Sequence, residues 1–184
     1  MHYLHKILVH IPRDMIELGF TREELRNIAQ MSGESVILAH NPDALERGDT
    51  LTPGRWEDDY PQGAYLASDD LEWFLEELEE VLAFQKAHID RYLNELTDSF
   101  GTDLTVTVEK LWNRPGDHST VAGINADLCA YYFSSLAQLL YGDYFCVSHF
   151  YNEKRRTSRL YPSDIELIKQ NPEEWALVMF DHYE

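Results

Sequence analysis

Residues 68–101 read SDDLEWFLEELEEVLAFQKAHIDRYLNELTDSFG, and the rest of the chain is interpreted around them. Leu71, Leu75, Leu78, Leu82, Ile89, Leu93, Leu96 and Phe100 recur at alternating steps of four and three, interrupted only by Lys86. That spacing places them on one stripe of an α-helix. Phe74, Val81 and Tyr92 widen the stripe to the breadth of a core-packed face. Asp69 with Glu72 three residues on is a capping-box start, and Gly101 is a residue that tolerates a left-handed stop. At 1.5 Å per residue such a helix is about 45 Å long, so it spans a whole domain or shares its stripe with a second copy. Leu71, Leu75, Leu78, Leu82, Ile89, Leu93 and Leu96 form the seam of a possible homodimer, with packing against residues 126–141 of the same chain slightly preferred.

The charge on this helix is one-sided. From Asp69 to Glu80 there are seven carboxylates and no Lys or Arg. The dipole at a helix N-terminus favours negative charge in the first turn alone. Glu72, Glu76 and Glu80 then stack at four-residue spacing, each like-charge pair costing about 0.2–0.5 kcal/mol. Residues 41–80 hold thirteen acids (Asp43, Glu46, Asp49, Glu57, Asp58, Asp59, Asp69, Asp70, Glu72, Glu76, Glu77, Glu79, Glu80) against Arg47 and Arg55. The whole chain of 184 residues carries 33 acidic and 15 basic residues, a formal charge of −18. Such a balance disfavours direct nucleic-acid binding, which needs cations to displace counterions, and disfavours anionic membrane surfaces. It favours encounter with a basic protein surface.

No run approaches a membrane span, and the N-terminus lacks the apolar region and cleavage site of a signal peptide, so a cytoplasmic location is expected. Cys129 and Cys146 lie in apolar surroundings outside any CxxC pair and are expected as buried free thiols.

Taken in order, residues 3–11 read as a first strand, with Leu4, Lys6, Leu8 and His10 on one face and His5, Ile7, Val9 and Ile11 on the other. A helical turn at 13–18 closes at Gly19, and Thr21 with Glu24 starts a helix that Gly33 is expected to stop. The segment LGFTREELRNIA resembles half a helix-turn-helix in outline, but its charge is wrong for DNA. Residues 35–39, SVILA, read as a short buried strand. From His40 to Ala67 no period is visible, and Pro and Gly punctuate an irregular loop at about 41–67 that carries Trp56, Tyr60 and Tyr65. Residues 103–109, with Leu104, Val106 and Val108 alternating against Thr105, Thr107 and Glu109, read as the clearest strand. Asn125 is placed to cap a nearly all-apolar helix, ADLCAYYFSSLAQLLYG, expected in the core. YFCVSHFY at 144–151 reads as a strand, SDIELIKQ as a short helix capped by Ser163 with Glu166, and EEWALVMF as a last strand or helix. The expectation is a single α+β domain over 1–184, with a mostly antiparallel sheet of about five strands packed by one long helix and one buried helix.

Catalytic motifs are absent: no HExxH, GxSxG, GxGxxG or Walker-type loop occurs, and no cofactor or metal site is implied. His5 and His10 point to opposite faces of their strand, whereas His149 and His182 sit on different elements and can meet. Ser119 beside His118, and Cys146 three residues from His149, lack the geometry of a nucleophile and base. Lys154, Arg155, Arg156 and Arg159 form the one basic cluster, a candidate anion site whose preferred role is to neutralise the acidic helix. The leading expectation is a non-enzymatic acidic interaction protein. Glu57, Asp58, Asp59, Asp69, Asp70, Glu72, Glu76, Glu77, Glu79 and Glu80, with Trp56 and Tyr60 as ring anchors, would occupy a basic and possibly nucleic-acid-binding surface as a decoy or inhibitor. The alternative is a small metal-dependent or His/carboxylate hydrolase with 41–67 as its lid.

Overall fold

A computed structural model describes residues 2–40, 52–113, 119–142 and 149–183. Among these residues the fold is α+β, built on a mixed four-stranded sheet in the order β2-β4-β1-β3. Strand β1 (His2–His10) is central and pairs over its full length with antiparallel β4 (Trp175–Tyr183), from His2 opposite Tyr183 to His10 opposite Trp175. Strand β3 (Phe150–Asn152) lies parallel on the other side of β1, and β2 (Ala64–Leu66) is antiparallel to β4 at the far edge.

Helices cover both faces, so β1 and β4 are apolar on both, and their alternation is weak in the sequence. On one face Ile7, Val9, Ile11, Val178 and Phe180 pack against Leu25, Ala29, Val36 and Ile37 of helix α2 (Arg22–His40). On the other, Leu8, Leu177, Met179, Phe150 and Trp175 pack against Phe74, Leu78 and Val81 of α3 (Leu71–Phe100) and Ile165 and Ile168 of α6 (Pro162–Gln170). A short helix, α1 (Arg13–Glu17), closes at Gly19 with φ +81°, as its sequence implies.

Two expected strands are helical. SVILA belongs to α2, which does not stop at Gly33. Leu25, Ala29, Gly33 and Ile37 recur every four residues and form the buried face, and the glycine serves helix–sheet approach rather than termination. A Cβ at Gly33 would lie 2.9 Å from Val178 Cγ1. The start of α2 is the capping box read from sequence: Thr21 N donates to Glu24 Oε2 (2.7 Å), and Glu24 N donates to Thr21 Oγ1 (3.3 Å). Residues 103–109 lie in α4 (Leu104–Trp112), where Asp103 accepts hydrogen bonds from Thr105 N (2.9 Å) and Val106 N (3.4 Å). Val106 and Val108 are both exposed, so these two apolar positions face no core, and the Asp103 cap overrides the β propensity of LTVTV. The sheet therefore has four strands rather than five, with β2, hidden in the Pro/Gly-rich stretch, as a strand without a sequence signal.

The long helix ends as expected at Gly101 (φ +83°) but starts one residue later than Asp69 suggests. Asp70 is its cap and accepts from Trp73 N at 3.1 Å. Asp69 instead receives Arg22 (2.8 Å) and Arg26 (2.6 Å), fastening α2 to the start of α3. The apolar helix at 126–141 is part of α5 (Val121–Tyr141), which Thr120 rather than Asn125 caps through Gly123 N at 3.1 Å. It packs on the second half of α3 and not in the core. Tyr131 and Tyr132 meet the Tyr92 ring, while Val121, Ile124, Leu128 and Tyr141 stay exposed. Its uniform apolarity conceals which side is covered. Among the described residues no helix is long and apolar enough to cross a membrane.

The Gly33 contact generates a test. Gly33→Ala gains about 1 kcal/mol of helix propensity but forces a methyl into a packed interface, at a cost of about 1–3 kcal/mol. Net destabilisation is expected in urea melts of the single variant. In a Val178→Ala background the same change should be neutral or stabilising; an equal penalty in both backgrounds would rule out the contact as its cause.

Candidate functional site

The chemistry-bearing residues gather where β1 faces α3. Lys6 alternates outward from the α2 side of β1 and points at α3, where it is 9% exposed. A buried ammonium needs a partner. Glu77, 8% exposed on the inner face of α3, supplies it through an ion pair with Lys6 Nζ, and Glu80 Oε2 lies 3.6 Å from the same nitrogen. The Tyr60 hydroxyl donates to Glu77 at 3.2 Å, and the Tyr60 ring packs with Tyr65 and Trp73 at centroid distances of 6.4 Å. Burial first, and then the Glu77 charge, push the Tyr60 phenol well above its ordinary range, so it stays a donor. The 3-10 turn at Gly54–Trp56 presents this tyrosine, Tyr60 N donating to Trp56 O at 2.8 Å.

Sequence periodicity does not identify Glu77. It reads as one more carboxylate on a wet helix face, but the buried face is Phe74, Glu77, Leu78, Val81, Gln85 and Tyr92. The face is rotated from the leucine stripe because two polar residues belong to it. Gln85 earns its place by donating to Ser158 O (2.8 Å) and accepting from Leu160 N (3.2 Å). The signal present in the sequence was Lys6, a lone cation in an otherwise apolar central strand, which demands a buried acid.

This rotation sorts the expected partner-binding residues. Glu72, Glu76, Glu79 and Glu80 point to solvent along α3, and Glu57, Asp58 and Asp59 are exposed on the turn before Tyr60. Because Tyr60 is tied to Glu77 and Trp73, the turn is held against α3, and the two acidic sets adjoin. Among the described residues Glu57, Asp58, Asp59, Glu72, Glu76 and Glu79 have no ion pair. Asp69, Asp70 and Glu77 have the structural roles given above, and Trp56 is half-buried. Asp43, Glu46 and Asp49 lie outside the described residues. Within the leucine seam, Leu78 is buried and Leu71, Leu75 and Leu82 pack on the core of this chain, while Ile89 and Leu96 are half-buried and Leu93 is exposed. The first half of the seam is thus occupied within the chain.

Beside Lys6 a pocket of about 190 Å³ is lined by Leu4, Lys6, Glu80, Val81, Phe84 and His149. His149 has φ +46°, stacks on Tyr3 at 4.4 Å and shares a 3.0 Å N···N contact with His5. His5 is thus an imidazole partner of His149; the expected meeting with His182 falls on a side chain outside the described residues. The pocket unites an ammonium, a carboxylate and an imidazole, and among the described residues its lining holds no hydroxyl or thiol to act as nucleophile. Among the described residues no group of three or more His, Cys, Asp or Glu could hold a metal ion. Cys146 and His118 lie outside the described residues, and Cys129 is buried. At the other end of β1, His10 approaches Glu174 at 3.4 Å, and burial, followed by the Lys154 charge, draws its pKa down.

The basic cluster does not neutralise α3 through contacts within this chain. Arg155 pairs with Asp164, which is 1% exposed, and Arg159 donates to Leu140 O at 3.1 Å. Asp164 also accepts Tyr161 N (3.1 Å), so it, rather than Ser163 with Glu166, closes the start of α6. No protein-family model, curated protein or solved structure matches this chain.

Removing Glu77 strands a buried ammonium, which costs about 3–5 kcal/mol. Glu77→Ala should lower stability by that order in chemical denaturation, whereas Glu76→Ala, one residue away on the wet face, should stay within about 0.5 kcal/mol of the parent. Replacing both partners, Lys6→Met with Glu77→Leu, should recover most of the loss. Equal effects of Glu76 and Glu77 would show that the pair does not set the helix rotation.

Proposed function

We propose that the protein is a non-enzymatic acidic interaction protein that docks onto a basic surface of a protein partner and occupies it as a decoy or inhibitor. The observation that carries this reading is the continuity of two acidic sets. The 57–59 turn and the outer face of α3 are held side by side by Tyr60, and Glu57, Asp58, Asp59, Glu72, Glu76 and Glu79 are exposed without ion pairs among the described residues. Carboxylates arrayed on a rigid helix at three- and four-residue steps present fixed negative charge to a nucleic-acid-binding groove, standing in for phosphates. Glu72 and Glu76 are kept together at an electrostatic cost to the helix and make no ion pair among the described residues, which a binding role explains.

Reversal of Glu72, Glu76 and Glu79 to Lys should leave the fold intact at a small cost in stability, since the 76–80 pair becomes attractive while 72 and 76 remain a like-charge pair and a cation at 72 opposes the helix dipole in the first turn. The same variant should lose partner capture. The parent protein, immobilised at low salt, should retain basic nucleic-acid-binding proteins identified by mass spectrometry, and release them as ionic strength rises past about 0.15 M. Added DNA should compete. Capture of the same partners by the triple variant would overturn the reading.

A second reading is a small His/carboxylate hydrolase, favoured by the meeting of Lys6, Glu80 and His149 in one pocket. The lid expected over it does not include residues 64–66, which are strand β2 of the sheet. Turnover of ester or phosphoester substrates that is lost in His149→Ala would move the balance to this reading.

A further inference from the structure

The C-terminal end of α5 and the turn after β3 enclose an open pocket of about 480 Å³, lined by Tyr141, Gly142, Arg155, Arg156, Thr157 and Tyr161. We infer that this pocket binds a phosphate group, as the free ion or as the monoester of a small molecule. It stands apart from the acidic face and does not depend on that face's role.

Its walls are rigid. Gly142 has φ +84°, and a Cβ there would sit 1.9 Å from Thr157 Oγ1, so this position requires glycine. The Thr157 hydroxyl donates to Gly142 O (3.0 Å), as does Ser158 N (2.9 Å), tying the end of α5 to the basic turn. Two guanidiniums flank one ring: Arg155 and Arg159 lie 5.2 and 4.8 Å from the Tyr161 centroid. Each is held by part of its donor set. Arg155 uses Nε on Asp164 and Nη2 on Ser163 Oγ (3.2 Å), and Arg159 uses Nη1 on Leu140 O. A guanidinium has five N–H donors, so both retain donors; Arg155 lines the pocket itself, and Arg159 stands at its border against the Tyr161 ring, within the positive field that receives a tetrahedral oxyanion.

Arg156 adds the third cation. Its backbone is left-handed, φ +53°, which is uncommon for a residue with a side chain and costs about 1–2 kcal/mol. Among the described residues its side chain has no ion pair or hydrogen bond. The carboxylate in contact with the cluster is Asp164; Glu153 borders the neighbouring pocket together with Arg156. Among the described residues, three cations against these two acids leave a local positive charge on a chain of net charge −18. A surface that kept these arginines for solvation alone would have acids to spare for pairing them.

The experiment uses the full chain at pH 7.5, where phosphate is mostly dianionic. Inorganic phosphate and AMP are titrated separately against chloride at matched ionic strength, following arginine Nε–Hε resonances and the melting temperature. Shifts of Arg156 and Arg159 that saturate in the millimolar range, with a raised melting temperature, are expected. Arg156→Gln and Arg159→Gln should each weaken binding roughly fivefold or more while keeping the far-ultraviolet spectrum of the parent. Arg155 is left in place because it neutralises buried Asp164. Tighter binding of AMP would assign the site to a nucleotide, with the exposed Tyr141 ring available for stacking, and equal binding would assign it to phosphate itself; either supports the inference. No shift beyond chloride with either probe, or parent-like binding by both variants, would overturn it.

Discussion

One ammonium in the middle of the sheet governs the layout of this molecule. Lys6 sits on the central strand with apolar neighbours, where an uncompensated charge is expensive. The fold answers with Glu77 and, behind it, the Tyr60 hydroxyl. Because a helix offers one residue to a given direction every three or four positions, placing Glu77 inward fixes the rotation of all of α3. Phe74, Leu78 and Val81 then fall on the core, and Glu72, Glu76 and Glu79 fall on solvent. The polar contact adds little net stability next to an apolar pair of the same shape, but it specifies orientation. The acidic face and the core packing are two results of the same constraint.

The periodic and punctuated parts of the chain were legible. The 30-residue helix α3, its stop at Gly101, the capping box at Thr21 and Glu24 and the faces of β1 follow from spacing and caps, while the last segment, open between strand and helix in the sequence, is strand β4. The failures share a cause: local pattern was ambiguous and a remote contact decided. Gly33 looks like a helix stop until Val178 is known to press on it. LTVTV looks like a strand until Asp103 caps it. β2 has no pattern because three residues carry none. α5 looks buried because it is apolar all round, yet it covers the far half of α3 and remains partly exposed. Asp69 and Glu77 were counted with the surface acids, since a carboxylate's partner across 43 or 71 positions leaves no trace in local spacing.

Charge is segregated on this surface. The turn at 57–59 and the outer side of α3 are negative without compensation, whereas the arginines after β3 are gathered around Tyr161 and Asp164 on α6. The two regions rest on different supports, Tyr60 and Glu77 in one case and Gly142 and Thr157 in the other. Substitutions in one should leave the other's geometry intact, since separated sites with no shared partner act nearly independently.

The strand lengths carry a consequence of another kind. The two outer strands, β2 and β3, have three residues each, while the nine-residue β1 and β4 lie between them. A sheet is open to aberrant growth where a long outer strand displays unpaired N–H and C=O groups in a row. Here the long apolar strands, which would be efficient templates for amyloid-like stacking, are paired with each other along their whole length and shielded by helices on both faces. Among the described residues each flanking strand offers three residues, too few to direct the register of an incoming chain, so the order of the strands disfavours self-association by addition at β2 or β3.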